Sequence, residues 1–156
     1  MFKVWVTMHE RDAIDRIILE ELMRDSRTPV RVLAEKAAVS VGTIVNRIRH
    51  LEDKGIIKGY TINVDYKALG QDIVVITRMK IAKGRYPEVA QELVPEKNII
   101  TLYNITGEYD AVMISRFKDR EALDTFLKRI QSHPYVDKTN SVLVLKASKE
   151  SQLNLL

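Results

Sequence analysis

The sequence predicts an α+β chain built in two parts: three short helices, followed by a sheet and two helices in the order β-α-β-β-α-β. Three observations lead there. Before residue 61 the apolar residues recur at helical spacing, as Ile14, Ile17, Ile18 and Leu22 do. Beyond residue 71 strand-like alternation appears, with Ile73, Val75 and Met79 interleaved with Val74 and Ile76. Between the two lies TINVDYKALGQ, residues 61–71, broken by Gly70. The expected organisation is a helical domain over 1–60, a linker over 61–71, a sheet domain over 72–150 and a tail over 151–156.

The elements follow in order. Residues 1–7, MFKVWVT, set Phe2, Val4 and Val6 against Lys3, Trp5 and Thr7. They fit either a short extra strand at a dimer or a stretch that precedes a start at Met8. A first helix is expected over Asp12–Asp25, ended by Ser26 to Pro29. Val30, Leu33, Ala34 and Ala37 form the stripe of a second, and Ala38, Val39 and Ser40 make a turn. Ser40 suits the N-cap of a third helix, because its hydroxyl can accept an orphan backbone N–H. Gly55 ends that helix, where a left-handed cap favours glycine. Ile56 to Asn63 reads as extended.

In the second part, Asp72–Ala82 is a strand signal, and Tyr86, Val89, Ala90, Leu93 and Val94 form a helical stripe. Asn98–Thr106 and Tyr109–Phe117 read as strands joined by a tight hairpin at Gly107-Glu108. Leu123, Phe126, Leu127 and Ile130 make another helical stripe, and Val136–Ala147 is the last strand. The order is the ferredoxin-like split arrangement. Such a sheet carries helices on one face, yet its first strand is apolar on both. The helix-free face is therefore expected to pack on a second copy of the chain.

Composition excludes more than it identifies. A formal charge of +4 and a pI near 9.3 mildly favour a polyanionic partner. The first 62 residues hold eleven Lys and Arg against nine acids, so overall charge does not single out a binding half. The absence of cysteine excludes disulfides, thiolate catalysis and cysteine-ligated metals. No apolar run approaches the roughly 18–20 residues of a membrane helix, and no basic-then-apolar leader opens the chain; a cytoplasmic protein is expected. His9, His50 and His133 lie in separate elements, and G-x-S-x-G, P-loop, H-E-x-x-H and G-x-G-x-x-G patterns are missing. No catalytic residue and no metal ligand is expected.

Residues 30–60 carry the functional signal. Stepped at about 100° per residue, Val41, Ile44, Val45, Ile48 and Leu51 fall on one side of the third helix and should face the first two. Thr43, Asn46 and His50 lie opposite, Gly42 beside them, and Arg47 and Arg49 on the flanks. No acid occurs from Val41 to His50. This is the layout of a helix-turn-helix whose second helix enters the DNA major groove. Asn pairs two-pronged with adenine, Arg with guanine, and a Thr methyl touches thymine. Flanking arginines can equally hold phosphates. Gly42, beside the Ser40 cap, lets the phosphate backbone approach the helix N-terminus. The competing reading is a solvated amphipathic helix with no partner.

The run SVGTIVNRIRHLEDKGIIKGY, residues 40–60, resembles the Lrp/AsnC family of prokaryotic transcription regulators. DAIDRIILEEL (12–22) and DSRTPVRVLA (25–34) fit that family's opening helices, and TGEYD (106–110) its sensing-domain hairpin. The resemblance runs from about residue 9 to residue 147. It implies a winged-helix-like DNA-binding domain and a ferredoxin-like domain for ligand sensing and oligomerisation. It also implies dimers paired sheet to sheet, with further assembly into tetramers or octamers, and a free amino acid bound between dimers. Carried over to this chain, it points to Gly107, Glu108, Tyr109 and Asp110 in the hairpin, Thr139 and Ser141 on the last strand, and Tyr103 before the hairpin. Asp110 could meet an α-ammonium and hairpin N–H groups an α-carboxylate; Glu108 and Asp110 together would suit a basic side chain such as lysine. Equally, Gly107 shapes the turn, Asp110 bridges within the subunit and Tyr103 belongs to core or interface.

The expected function is thus a sequence-specific regulator on double-stranded DNA, self-associating, with no cofactor apart from an amino-acid effector and no membrane partner. Two alternatives stand beside it: a nucleoid-organising protein that binds DNA without sequence choice, and a small metabolic enzyme with a fused helical domain.

Overall fold

The computed structural model describes residues 13–150. The expectations for residues 1–7, Asp12, His9 and the tail 151–156 lie outside those residues. The described chain divides into two compact units between Asn63 and Val64.

The helical unit holds α1 (Ala13–Arg24), α2 (Val30–Ala37) and α3 (Val41–Asp53). Each helix sends one fully buried side chain to the centre, Ile18, Leu33 and Ile44, with Leu19, Ala34 and Leu51 around them. The turn between α2 and α3 is tight because Ala38 takes a left-handed conformation, φ 52°. Its neighbour Val39 then donates its N–H to Ala34 O at 3.0 Å. Ser40 caps α3 as expected: its Oγ accepts the Thr43 N–H at 3.1 Å. Gly55, φ 65°, closes the helix, and Ile56 N–H reaches back to Leu51 O at 2.9 Å. The stretch expected to be extended, Ile56 to Asn63, forms no strand. A strand needs a ladder partner, and this segment finds none among the described residues.

The sheet unit contains β1 (Ile73–Ile81), α4 (Tyr86–Leu93), β2 (Ile99–Asn104), β3 (Ala111–Phe117), α5 (Arg120–Gln131) and β4 (Val136–Leu143). Its strands lie in the order β2-β3-β1-β4, all neighbours antiparallel. Asp119 caps α5 by accepting the Ala122 N–H at 2.8 Å. The core lies between the helices and one sheet face: Val75, Met79, Met113 and Phe117 from the strands meet Val89, Leu93, Phe126 and Ile130 from the helices. Phe117 and Phe126 pack with ring centroids 5.2 Å apart. Two buried hydroxyls on this face are satisfied, Thr77 by Ser141 at 2.9 Å and Ser115 by the Val75 carbonyl at 3.4 Å.

The register defines the opposite face. Ile76 stands between Ile114 and Val142, Arg78 between Val112 and Asn140, and Val74 beside Arg116. This helix-free face is apolar at its centre and basic towards its ends, and Val142 and Tyr103 lie exposed on it. Two expected boundaries change. The connection between β2 and β3 spans residues 105–110 instead of two residues; at its end the Asp110 carbonyl accepts the Ile105 N–H at 2.9 Å while its own N–H donates to Met79 O on β1 at 2.9 Å. The last strand stops at Leu143 rather than Ala147.

Candidate functional site

The Ser40 cap sets where α3 begins and hence which side chains face outward. Gly42, Asn46, Arg49 and His50 are exposed. Thr43 is half-buried, its hydroxyl 2.9 Å from Ser40 Oγ, so it shares the cap. The two flanking arginines differ. Arg49 is exposed, whereas Arg47 is partly buried with its Nη1 3.8 Å from Asp15 Oδ1 on α1. The inward side is narrower than expected. Ile44 and Leu51 are buried and Ile48 is half-buried, but Val41 and Val45 are 45% and 39% exposed. The contact with α1 and α2 is centred on Ile44, Ile48 and Leu51; Val45, one step of about 100° from Ile44, turns out of it. Val41 and Val45 were expected among the inward residues, and nothing in their residue type could have revealed the difference. Beyond this face, the acid Glu52 is drawn aside by the Tyr60 hydroxyl, which donates to its Oε1 at 2.9 Å. Burial, with Glu52 beside it, raises the Tyr60 pKa above its ordinary value. The outward side of α3 from Val41 to His50 thus offers an amide, a guanidinium, an imidazole and two valines, and no carboxylate.

The hairpin residues form a second constellation. Asp110 is committed within the chain: its Oδ2 accepts the Ile81 N–H at 2.8 Å and its Oδ1 the Lys80 ammonium at 3.2 Å. The Ile81 N–H first, and Lys80 with it, hold the Asp110 carboxyl below its ordinary pKa against the opposing effect of burial. Gly107 sits at φ 115°, a conformation that favours glycine. Tyr109 is nearly buried, its ring 5.0 Å from the Arg78 guanidinium and 5.7 Å from the Lys138 ammonium. Glu108 lies 3.8 Å from Lys138. The structure thus gathers Glu108, Tyr109 and Asp110 with Arg78, Lys80 and Lys138. The three cations were missed; the available signal was basic residues at alternate positions 78 and 80 of a strand that is apolar apart from Thr77.

The remaining expected residues divide between the faces. Tyr103 pairs with Val112 on the helix-free face. Thr139 and Ser141 pair with Met79 and Thr77 on the helix-bearing face, where Thr139 Oγ1 accepts from Gln131 Nε2 at 3.4 Å. Among the described residues no three His, Asp or Glu side chains cluster to hold a metal, and no helix is long and apolar enough to cross a membrane.

Comparison with known proteins agrees with both units. Residues 11–58 match the winged helix-turn-helix DNA-binding family and residues 74–153 the Lrp/AsnC ligand binding domain. The HTH-type transcriptional regulator PH1692 of Pyrococcus horikoshii is 40% identical over 141 residues, covering 90% of this chain and 95% of its own. Among solved structures, AsnC of E. coli superposes with a TM-score of 0.84 at 28% identity, covering 91% of this chain and 97% of AsnC. The transcriptional regulator NMB0573 of Neisseria meningitidis, solved as a complex with L-Met, gives a TM-score of 0.84 at 26% identity over 90% of this chain and 93% of its own. Two domain matches in the right order, and relatives covered almost end to end, make this chain a member of the Lrp/AsnC family of helix-turn-helix transcription regulators.

Proposed function

We propose that this regulator binds short, roughly palindromic duplex sites as a dimer or larger assembly, reading bases through the outward side of α3, and that a free amino acid held at the 105–110 hairpin adjusts that binding. The observation that carries the reading is the acid-free outward side of α3, with Asn46 and Arg49 exposed beside Gly42. In the major groove Asn46 would meet adenine and Arg49 guanine or a phosphate. The helix-free sheet face, with Ile76 flanked by Ile114 and Val142, is suited to a second copy. A two-fold dimer would bring two α3 helices to half-sites about 34–36 Å apart.

The effector reading leans on the L-Met complex of the Neisseria relative. The charges at the hairpin refine it. Both carboxylates already face a lysine, Asp110 with Lys80 and Glu108 with Lys138. The chain's own hairpin therefore gives no preference for a cationic side chain such as lysine. The protein works in the cytoplasm on the nucleoid and catalyses no reaction. Footprinting on genomic fragments tests the whole reading: discrete protected sites are expected, their occupancy changing with at least one amino acid. Uniform coverage would favour a DNA-packing protein. Calorimetry with the twenty amino acids showing no heat would remove the effector.

A further inference from the structure

We infer that Val45 is a base-reading residue, its isopropyl group contacting the C5 methyl of a thymine in each half-site. The inference rests on the proposed reading face of α3. The core of the helical unit closes without Val45: Ile18, Leu33 and Ile44 are fully buried while Val45 is 39% exposed. Its surroundings are those of a groove-facing surface. Asn46 and Arg49 follow it at one and four positions, Gly42 precedes it by three, and all three are exposed. Val41, one turn earlier, is exposed as well, so the two valines form a small apolar ridge edged by polar groups.

Such a ridge is too small to hold a protein partner, which needs an apolar patch of several hundred Å². It matches a single methyl group. Thymine is the base that presents one in the major groove, and small apolar side chains are what meet it there. Gly42, without a side chain, keeps the approach of the duplex open at this end of the helix. Followed by an amide suited to adenine and, one turn on, by a guanidinium, Val45 would give each half-site a thymine preference that neither polar neighbour supplies.

Replacing thymidine by deoxyuridine deletes that methyl and nothing else. The test uses the full-length protein and a duplex it selects from a random pool, with each dT changed to dU in turn. One position per half-site is expected to weaken binding about fourfold, the worth of one buried methyl. Val45→Ala should bind the selected duplex more weakly and be indifferent to dU at that position. The variant does not threaten folding, since the site is exposed and alanine favours helix. Unchanged wild-type affinity at every dU position, or the same dU sensitivity in Val45→Ala, would overturn the inference. Asn46→Ala and Arg49→Ala, measured in parallel, separate the two levels. If they alter binding while dU does not, the reading face stands and Val45 falls; if none of the three variants alters binding, the reading face itself is wrong.

Discussion

Asn46, Arg47 and Arg49 lie within a single turn of one helix, yet their surroundings differ, and different effects are expected from removing them. Asn46 is exposed and its amide can pair with both adenine edge groups. Asn46→Ala should cost about 1–3 kcal/mol of binding at the preferred site and relax the preference there, as competition against single-base variants would measure. Arg49→Ala should weaken binding to all sequences and lower the slope of log affinity against log salt by about one for each phosphate it no longer neutralises. Arg47 is different because Asp15 lies beside it on α1. Its removal should act on stability, by less than about 1 kcal/mol for a partly exposed pair, and leave the salt slope unchanged. Urea melts and salt titrations of the two arginine variants separate the roles.

The elements show how local chemistry and distant partners share the work of placing a site. Ser40 fixes the start of α3 with one hydrogen bond. Ser40→Ala should lower the stability of the helical unit by about 1 kcal/mol, seen in chemical denaturation. The hairpin is fixed from further away, by Asp110 on the Ile81 N–H and Lys80. Because folding lowers the Asp110 pKa, its contribution is complete above the ordinary value of 3.8 and is lost as the pH falls through the depressed one. The wild-type protein should therefore lose stability more steeply below about pH 4 than Asp110→Asn does, measured by thermal melts across pH. This contrast also explains what was legible in the sequence. Ser40, Gly55 and the helical stripes act within a turn or two of themselves, so the three helices and the order of strands could be read from spacing. Asp110 acts on a strand thirty residues earlier, and Lys80 and Lys138 reach the hairpin only through strand pairing. The longer connection, and the division of Tyr103 from Thr139 and Ser141, follow from register, which spacing along one strand does not contain. Val45 failed for a subtler reason: a helical stripe gives the direction of the buried side but not its width.

At the scale of the molecule, the question is how the sheet units meet. The helix-free face is apolar at Val74, Ile76, Ile114 and Val142, with Arg78, Lys80 and Lys138 towards one end. In the proposed dimer a second copy laid on it would bury the centre and leave Arg78, Lys80 and Lys138 at the rim. Ile76→Asp should yield a folded monomer by sedimentation, with unchanged far-ultraviolet circular dichroism and strongly reduced affinity for a palindromic site. The joint between the two units is short. Tyr60 is tied to Glu52 on α3, and the Thr61 carbonyl accepts from Ser26 Oγ at 3.3 Å. On the far side, Asp65 Oδ1 accepts the N–H groups of Lys67 and Ala68, and the Tyr66 ring lies 4.7 Å from the Arg116 guanidinium. Only Ile62, Asn63 and Val64 lie between these fastenings. Each unit thus fastens its own end of the joining stretch, so a protease cut between residues 62 and 64 should leave the hydrogen bonds of both units in place and release two folded fragments.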